Sequence, residues 1–161
     1  MKHFGITAIG VGLAMLVSPV LAQDDYDGTA YASCSACHLS DGAGLPGAFP
    51  PVRTRATKMA ALDGGREYLV AVVAYGLMGA IEVAGTQYFG VMAGNAGPMS
   101  HADISAALNY LVFELTDDAA VIEPFTEEEV AEIQLSITMK SPVGAGQMRM
   151  ELVRKHGDEW P

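Results

Sequence analysis

Cysteine, basic residues and charge in general are scarce in this chain. It holds 2 Cys and 1 Trp in 161 residues, 9 Lys or Arg against 19 Asp or Glu, and 17% charged residues overall. The shortage of cations excludes generic binding to nucleic acid or to an anionic membrane, because a chain with a formal charge of -10 is repelled by phosphate. The shortage of charge, beside 50% hydrophobic residues, excludes a disordered chain, which is charge-rich and core-poor. Strand-type alternation is weak throughout, and no internal repeat or low-complexity tract is present. The length fits one compact domain with short additions.

Long apolar runs are also rare; there is one, at residues 4–17. Lys2 precedes it, Ser18 and Pro19 end it, and Val20, Leu21 and Ala22 offer side chains suited to a cleavage site. Residues 1–22 are therefore expected to be a secretory signal removed near Ala22. The alternative, an uncleaved anchor, needs about 20 apolar residues to span a bilayer, more than the run supplies. The expectation is a mature chain that starts near Gln23 in a bacterial-type periplasm, with no membrane insertion after cleavage.

Helical signals dominate the remainder. Tyr68, Leu69, Val72 and Val73 share one face after Asp63-Gly64-Gly65, and Gly76 is placed to end that helix. Residues 79–97 read as a glycine-rich loop. Ser100 and Asp103 resemble a capping pair ahead of the stripe Ile104, Leu108, Leu111, Val112 and Leu115. Thr126 and Glu129 form a capping box for a further helix, with Val130, Ile133 and Ile137 on its apolar face. Pro142, Gly144 and Gly146 read as a break, followed by a short helix over 147–155. The expected class is all-α, with short helices and long loops. Its expected divisions are a signal at 1–22, a domain at 23–118 and a helical extension at 119–161.

Both cysteines fall in one string, Cys34-Ser35-Ala36-Cys37-His38, the attachment signal of a c-type haem. Thiols at i and i+3 sit on one side of a helical turn, from which they can form thioethers to the two vinyl groups along one haem edge. The next residue, His38, projects its imidazole to the iron as proximal ligand. Other uses of the pair fit less well. A thioredoxin-like site needs a βαβ context. Zinc needs about four ligands, and the histidines outside the signal are scattered. A Cys34–Cys37 disulfide closes too small a loop to add much stability.

Further strings follow in order. They are Asp41-Gly42-Ala43-Gly44, then residues 46–52 with Phe49 and Pro50, then 79–85, then Tyr88-Phe89-Gly90-Val91-Met92, and a helix over 100–111. With these blocks at this spacing, residues 26–117 resemble the single-haem class I cytochromes c. More narrowly, they resemble the cytochromes that accompany bacterial periplasmic respiratory dehydrogenases and oxidoreductases. The resemblance implies the class I cytochrome c fold wrapped around one covalently bound haem c. It implies His38 as proximal ligand, and the Pro50 carbonyl as acceptor for the free N–H of His38. It also implies Met92 as distal ligand, whose soft thioether favours reduced iron and raises the potential. Ala93 stands where the family usually has proline. Two alternatives remain at the distal position: Met99, which also precedes the last helix, and His101, which would give bis-histidine ligation. The segment 126–137 is similar to an extension seen in some members.

Phe49, Tyr68, Tyr88, Tyr110 and Phe113 are expected to wall the haem and raise its potential by enclosure. Arg53 and Arg55 are candidates to pair with a haem propionate, since guanidinium recognises carboxylate bidentately; a solvated loop is the other reading of that stretch. The expected function is a one-electron carrier, not an enzyme. Its partners would be redox proteins: a dehydrogenase or other respiratory donor, and a terminal oxidase or other acceptor. The competing class is a haem enzyme or ligand sensor with an open or displaceable distal position, which calls for acid–base groups beside it. No His or Arg cluster flanks the Met92 segment.

Overall fold

The computed structural model describes residues 26–118 and 120–161, so the expected signal at 1–22 lies outside the described residues. A 3-10 turn at Thr29–Tyr31 leads into α1 (Ala32–His38), and a long loop continues to α2 (Arg55–Ala60) and α3 (Gly65–Tyr75). Strands β1 (Gly76–Val83) and β2 (Thr86–Ala93) form an antiparallel hairpin. Helix α4 (His101–Asn109) runs on into a π-helical turn (Tyr110–Glu114), and α5 (Glu127–Ser136) and α6 (Pro142–His156) follow. Among the described residues no helix is long and apolar enough to cross a membrane.

Helices α3 and α4 form the centre of the core, where Val70, Ile104 and Leu108 are fully buried. Phe125, Val130 and Ile133 and, from α6, Leu152 enter the same cluster. The C-terminal residues are thus packed into the core around α3 and α4. Asn109 fixes their approach: its Nδ2 donates to the Phe125 carbonyl at 2.9 Å, and its Oδ1 accepts from the Phe125 N–H at 2.7 Å. Both bonds are buried, where an unpaired backbone group is costly.

Three elements differ from the sequence expectation. Most of the expected loop at 79–97 is the hairpin, so the helices are joined by a two-stranded sheet that the all-α expectation did not include. Its second strand is rich in Thr, Tyr, Phe and Val, and Ala84 and Gly85 turn the chain with φ of 49° and 76°. Two positive φ values in a two-residue connection match the twist of paired strands. The expected break at 142–146 is instead the first turn of α6. Pro142 takes the first helical position, where a missing N–H costs nothing, and the Ser141 hydroxyl accepts from the Gly144 N–H at 3.1 Å. The capping box of α5 is only half formed. Thr126 Oγ1 accepts from the Glu129 N–H at 3.1 Å, but the Glu129 carboxylate is turned to Arg66, whose Nε lies 2.6 Å away. In α4 both halves of the Ser100–Asp103 box are present.

Candidate functional site

Helix α1 places Cys34 and Cys37 within one helical turn and His38 directly after, with Cys34 half-buried, Cys37 exposed and His38 buried. The Tyr31 hydroxyl donates to the Leu39 carbonyl at 3.0 Å and ties down the helix end. Burial pushes the Cys34 thiol up, with the Ser33 hydroxyl partly opposing. The chain then turns through Gly42 and Gly44 and returns past α1. At Gly44, φ is 66°, and a Cβ would stand 2.4 Å from the Phe49 oxygen and 2.7 Å from the Pro50 backbone. Only glycine lets the two strands of this loop pass so closely. The result is a carbonyl delivered to the histidine: His38 Nδ1–H donates to Pro50 O at 2.9 Å. A carbonyl can only accept, so Nδ1 carries the proton, and in the neutral ring the lone pair of Nε2 is the one available to ligate.

Met92 lies near the end of β2, paired in register with Leu77. Its position is set through the backbone. A Cβ at Gly76 would meet the Met92 oxygen at 2.2 Å, and one at Gly94 would meet the Ala74 oxygen at 2.6 Å. The N–H groups of Asn95 and Ala96 donate to the Val73 and Ala74 carbonyls, each at 2.9 Å. Those carbonyls belong to the last turn of α3 and lack helical partners. Asn95 Nδ2 adds a further bond to Val73 at 3.2 Å. The segment after Met92 is therefore tied to α3 by Asn95 and Ala96, with Ala93 in the position of the family's usual proline.

These parts enclose a cavity of about 600 Å3 lined by Cys34, Cys37, His38, Pro50 and Met92. An inner space of about 100 Å3 continues from it and also touches Cys34, His38, Pro50 and Met92. The hairpin forms one wall with Leu77, Ile81, Tyr88 and Val91. Its cross-strand partners Gly79 and Gly90 both line the cavity, and a Cβ on either would enter open space. The wall there is bare backbone, suited to a flat ligand. Two thiols on one helical turn, an imidazole with one nitrogen free, a thioether and an apolar lining fit a c-type haem. Among the described residues there is no group of three His, Cys, Asp or Glu able to hold a metal ion.

The other candidates are distributed unevenly. Met99 packs against the core and His101 is an exposed first residue of α4; neither lines the cavity. Phe49 and Tyr88 line the outer cavity and Tyr68 the inner one. Tyr110 and Phe113 do not. Their rings meet Tyr31 and Tyr26, with centroids 5.4 and 5.5 Å apart. Arg53 is exposed and pairs with Asp117 at 2.8 Å, away from the cavity. Arg55 lines the inner space. It donates to the Pro51 carbonyl at 3.1 Å and to the carboxylate oxygen of Pro161, the last residue of the sequence, at 2.6 Å, while its Nε is buried without a partner. Such an orphaned guanidinium nitrogen suits a carboxylate. Arg149 of α6 lines the same space and was not a sequence candidate; it lies far from the motif in the chain, and no local pattern marks it.

No family model matches the chain. A Thermus thermophilus protein named cytochrome c-552 is 42% identical over 125 residues, which cover 76% of this chain and 84% of that protein. A second protein of that name and organism is 43% identical over 106 residues, covering 65% of this chain and 80% of its own length.

Proposed function

The chain belongs to the class I c-type cytochromes, and on that premise we propose that it is a periplasmic one-electron carrier whose haem is held by Cys34 and Cys37 and ligated by His38 and Met92. Membership of the family brings a covalently bound haem c and electron transfer. When bound, the haem supplies an iron that gains and loses a single electron. The protein's part would be to hold the iron between His38 and Met92. The Pro50 carbonyl orients the His38 ring and increases its basicity. Met92 contributes a soft sulfur from the hairpin, and Tyr88 and Ile81 exclude water from the wall beside it. With both ligands supplied by the protein, His38 and Met92 would leave no position for a substrate. Arg55 would offer its unpartnered Nε to a propionate. Arg53 is left with Asp117 on the surface.

The location rests on the export pattern of residues 1–22, with 23–118 as the haem-binding domain and 119–161 as an extension built onto it. Redox partner proteins follow from electron carriage. We take them to be a dehydrogenase or other respiratory donor and a terminal oxidase or other acceptor. A strongly acidic chain favours partners with a basic face.

The observation that carries this reading is that His38, with Nδ1–H committed to Pro50, shares one apolar cavity with Met92 and both cysteines. The test is the spectrum of the reduced mature protein with and without carbon monoxide, beside that of Met92→Ala. The expected result is a low-spin spectrum that carbon monoxide does not change, and carbon monoxide binding in the variant. Rapid binding by the unaltered protein would instead favour a haem enzyme or ligand sensor. A native-like low-spin spectrum in Met92→Ala would remove Met92 as ligand.

A further inference from the structure

The two residues that flank helix α1 are joined by one side chain. Tyr31 precedes the helix and Leu39 follows it, and the Tyr31 hydroxyl donates to the Leu39 carbonyl at 3.0 Å. The Leu39 backbone stands at φ 64° and ψ 163°, a region essentially reserved for glycine. Packing of the Leu39 side chain does not hold it there, because the residue is 45% exposed. What grips Leu39 is its carbonyl, which accepts from Tyr31 and also from the Gly42 N–H at 3.2 Å. The neighbouring His38 carbonyl accepts from the Gly44 N–H at 3.0 Å. These bonds set the direction in which the chain leaves α1. That direction carries the loop round to Pro50 and its bond to His38 Nδ1. Tyr31 is itself firmly placed. It is 2% exposed, its ring centroid lies 5.4 Å from that of Tyr110 on the π-helical turn, and it lines the inner space beside Cys34 and His38.

We propose that Tyr31 is a positioning residue for the proximal ligand: by holding Leu39 in a glycine-type conformation, its hydroxyl keeps the Pro50 carbonyl on His38 Nδ1. The proposal rests on the reading of His38 as the iron ligand. Without the hydroxyl, the preference of an L residue for negative φ works against the turn. The start of the loop then swings, and the Pro50 carbonyl moves off the imidazole. A weaker bond at Nδ1 makes the ring less basic and less able to stabilise ferric iron.

The test uses the haem-loaded protein and compares Tyr31→Phe, Leu39→Gly and the two combined. Tyr31→Phe keeps the ring and its packing and removes only the donor. Hydrogen exchange at His38 Nδ1–H and at the Gly42 and Gly44 amides is expected to quicken about tenfold. The amides of α3 are expected to stay unchanged, and the midpoint potential to rise. In the Leu39→Gly background the same Tyr31→Phe change is expected to do little, because glycine holds this φ without help. Faster exchange spread evenly over the protein, with the potential unmoved, would make Tyr31 a packing residue and overturn the proposal. An equal effect of Tyr31→Phe in both backgrounds would also overturn it, since the hydroxyl would not be acting through Leu39. If Tyr31→Phe alone does not mature, the combined variant carries the test: maturation restored by Leu39→Gly supports the proposal, and failure of both overturns it. Failure of the underlying reading is visible separately. In the unaltered ferric protein, His38 ring resonances without the large paramagnetic shifts of a bound ligand would remove His38 as ligand.

Discussion

The two sides of the proposed iron site are built differently. His38 is held through its own ring, buried and hydrogen-bonded to Pro50 at 2.9 Å. Met92 is placed through the chain it hangs from, by close backbone contacts at Gly76 and Gly94 and by bonds from Asn95 and Ala96 to α3. The difference follows from the ligands themselves. An imidazole has a second nitrogen for the protein to grip, whereas a thioether offers one weakly accepting sulfur and flexible torsions. A histidine can be oriented directly; a methionine has to be placed by its backbone and fixed by what it binds.

Gly44→Ala is expected to strike the histidine side hardest. The new Cβ would meet the Phe49 oxygen at 2.4 Å, at a φ of 66° that L side chains rarely adopt. A loss of about 3 kcal/mol in denaturant titration is expected, together with a weakened His38–Pro50 bond visible in the His38 ring resonances. A loss below about 1 kcal/mol would show that this loop yields and does not fix the carbonyl.

The methionine side is expected to respond more gently. Ser100→Ala removes the cap of α4, where the Met92 segment ends, and should cost about 1 kcal/mol. Its pH dependence has a defined sign. The Ser100 hydroxyl, and then its backbone N–H, hold the Asp103 carboxyl below its ordinary value of 3.8. Stabilisation from a lowered carboxyl is complete above that value and is lost as pH falls through the lowered one. The stability gap between the unaltered protein and the variant should therefore be constant near neutral pH and narrow in acid; a gap that widens in acid would contradict the cap. Smallest of all is Gly97→Ala, in the same segment, where a Cβ meets nothing within 4 Å. A gain of about 0.5 kcal/mol is expected through the unfolded chain, and a measured loss would show the segment to be as tightly fitted as the one around Gly44.

The sequence disclosed what depends on neighbours in the chain. The Cys34–His38 string, the end of α3 at Gly76 and the box that starts α4 each involve residues within a few positions of one another. The hairpin was hidden because Gly79 and Gly90 dilute the alternation of its strands, and Ala84-Gly85 is not among the strongest turn pairs. Pro142 and Gly144 looked like breakers because proline and glycine have opposite meanings at a helix start and in its middle. Arg66 drew Glu129 away from its box, and Asn109 and Arg149 act on residues distant in the chain. Those are choices made by packing, and no local pattern records them.

Arg149 also brings in the order of synthesis. Chains grow from the N-terminus, so Cys34 and Cys37 exist long before α6, which supplies one side of the inner cavity. Until α6 docks, the inner space lacks the side to which Arg149 belongs, so the cavity around the two thiols is completed by the last long helix.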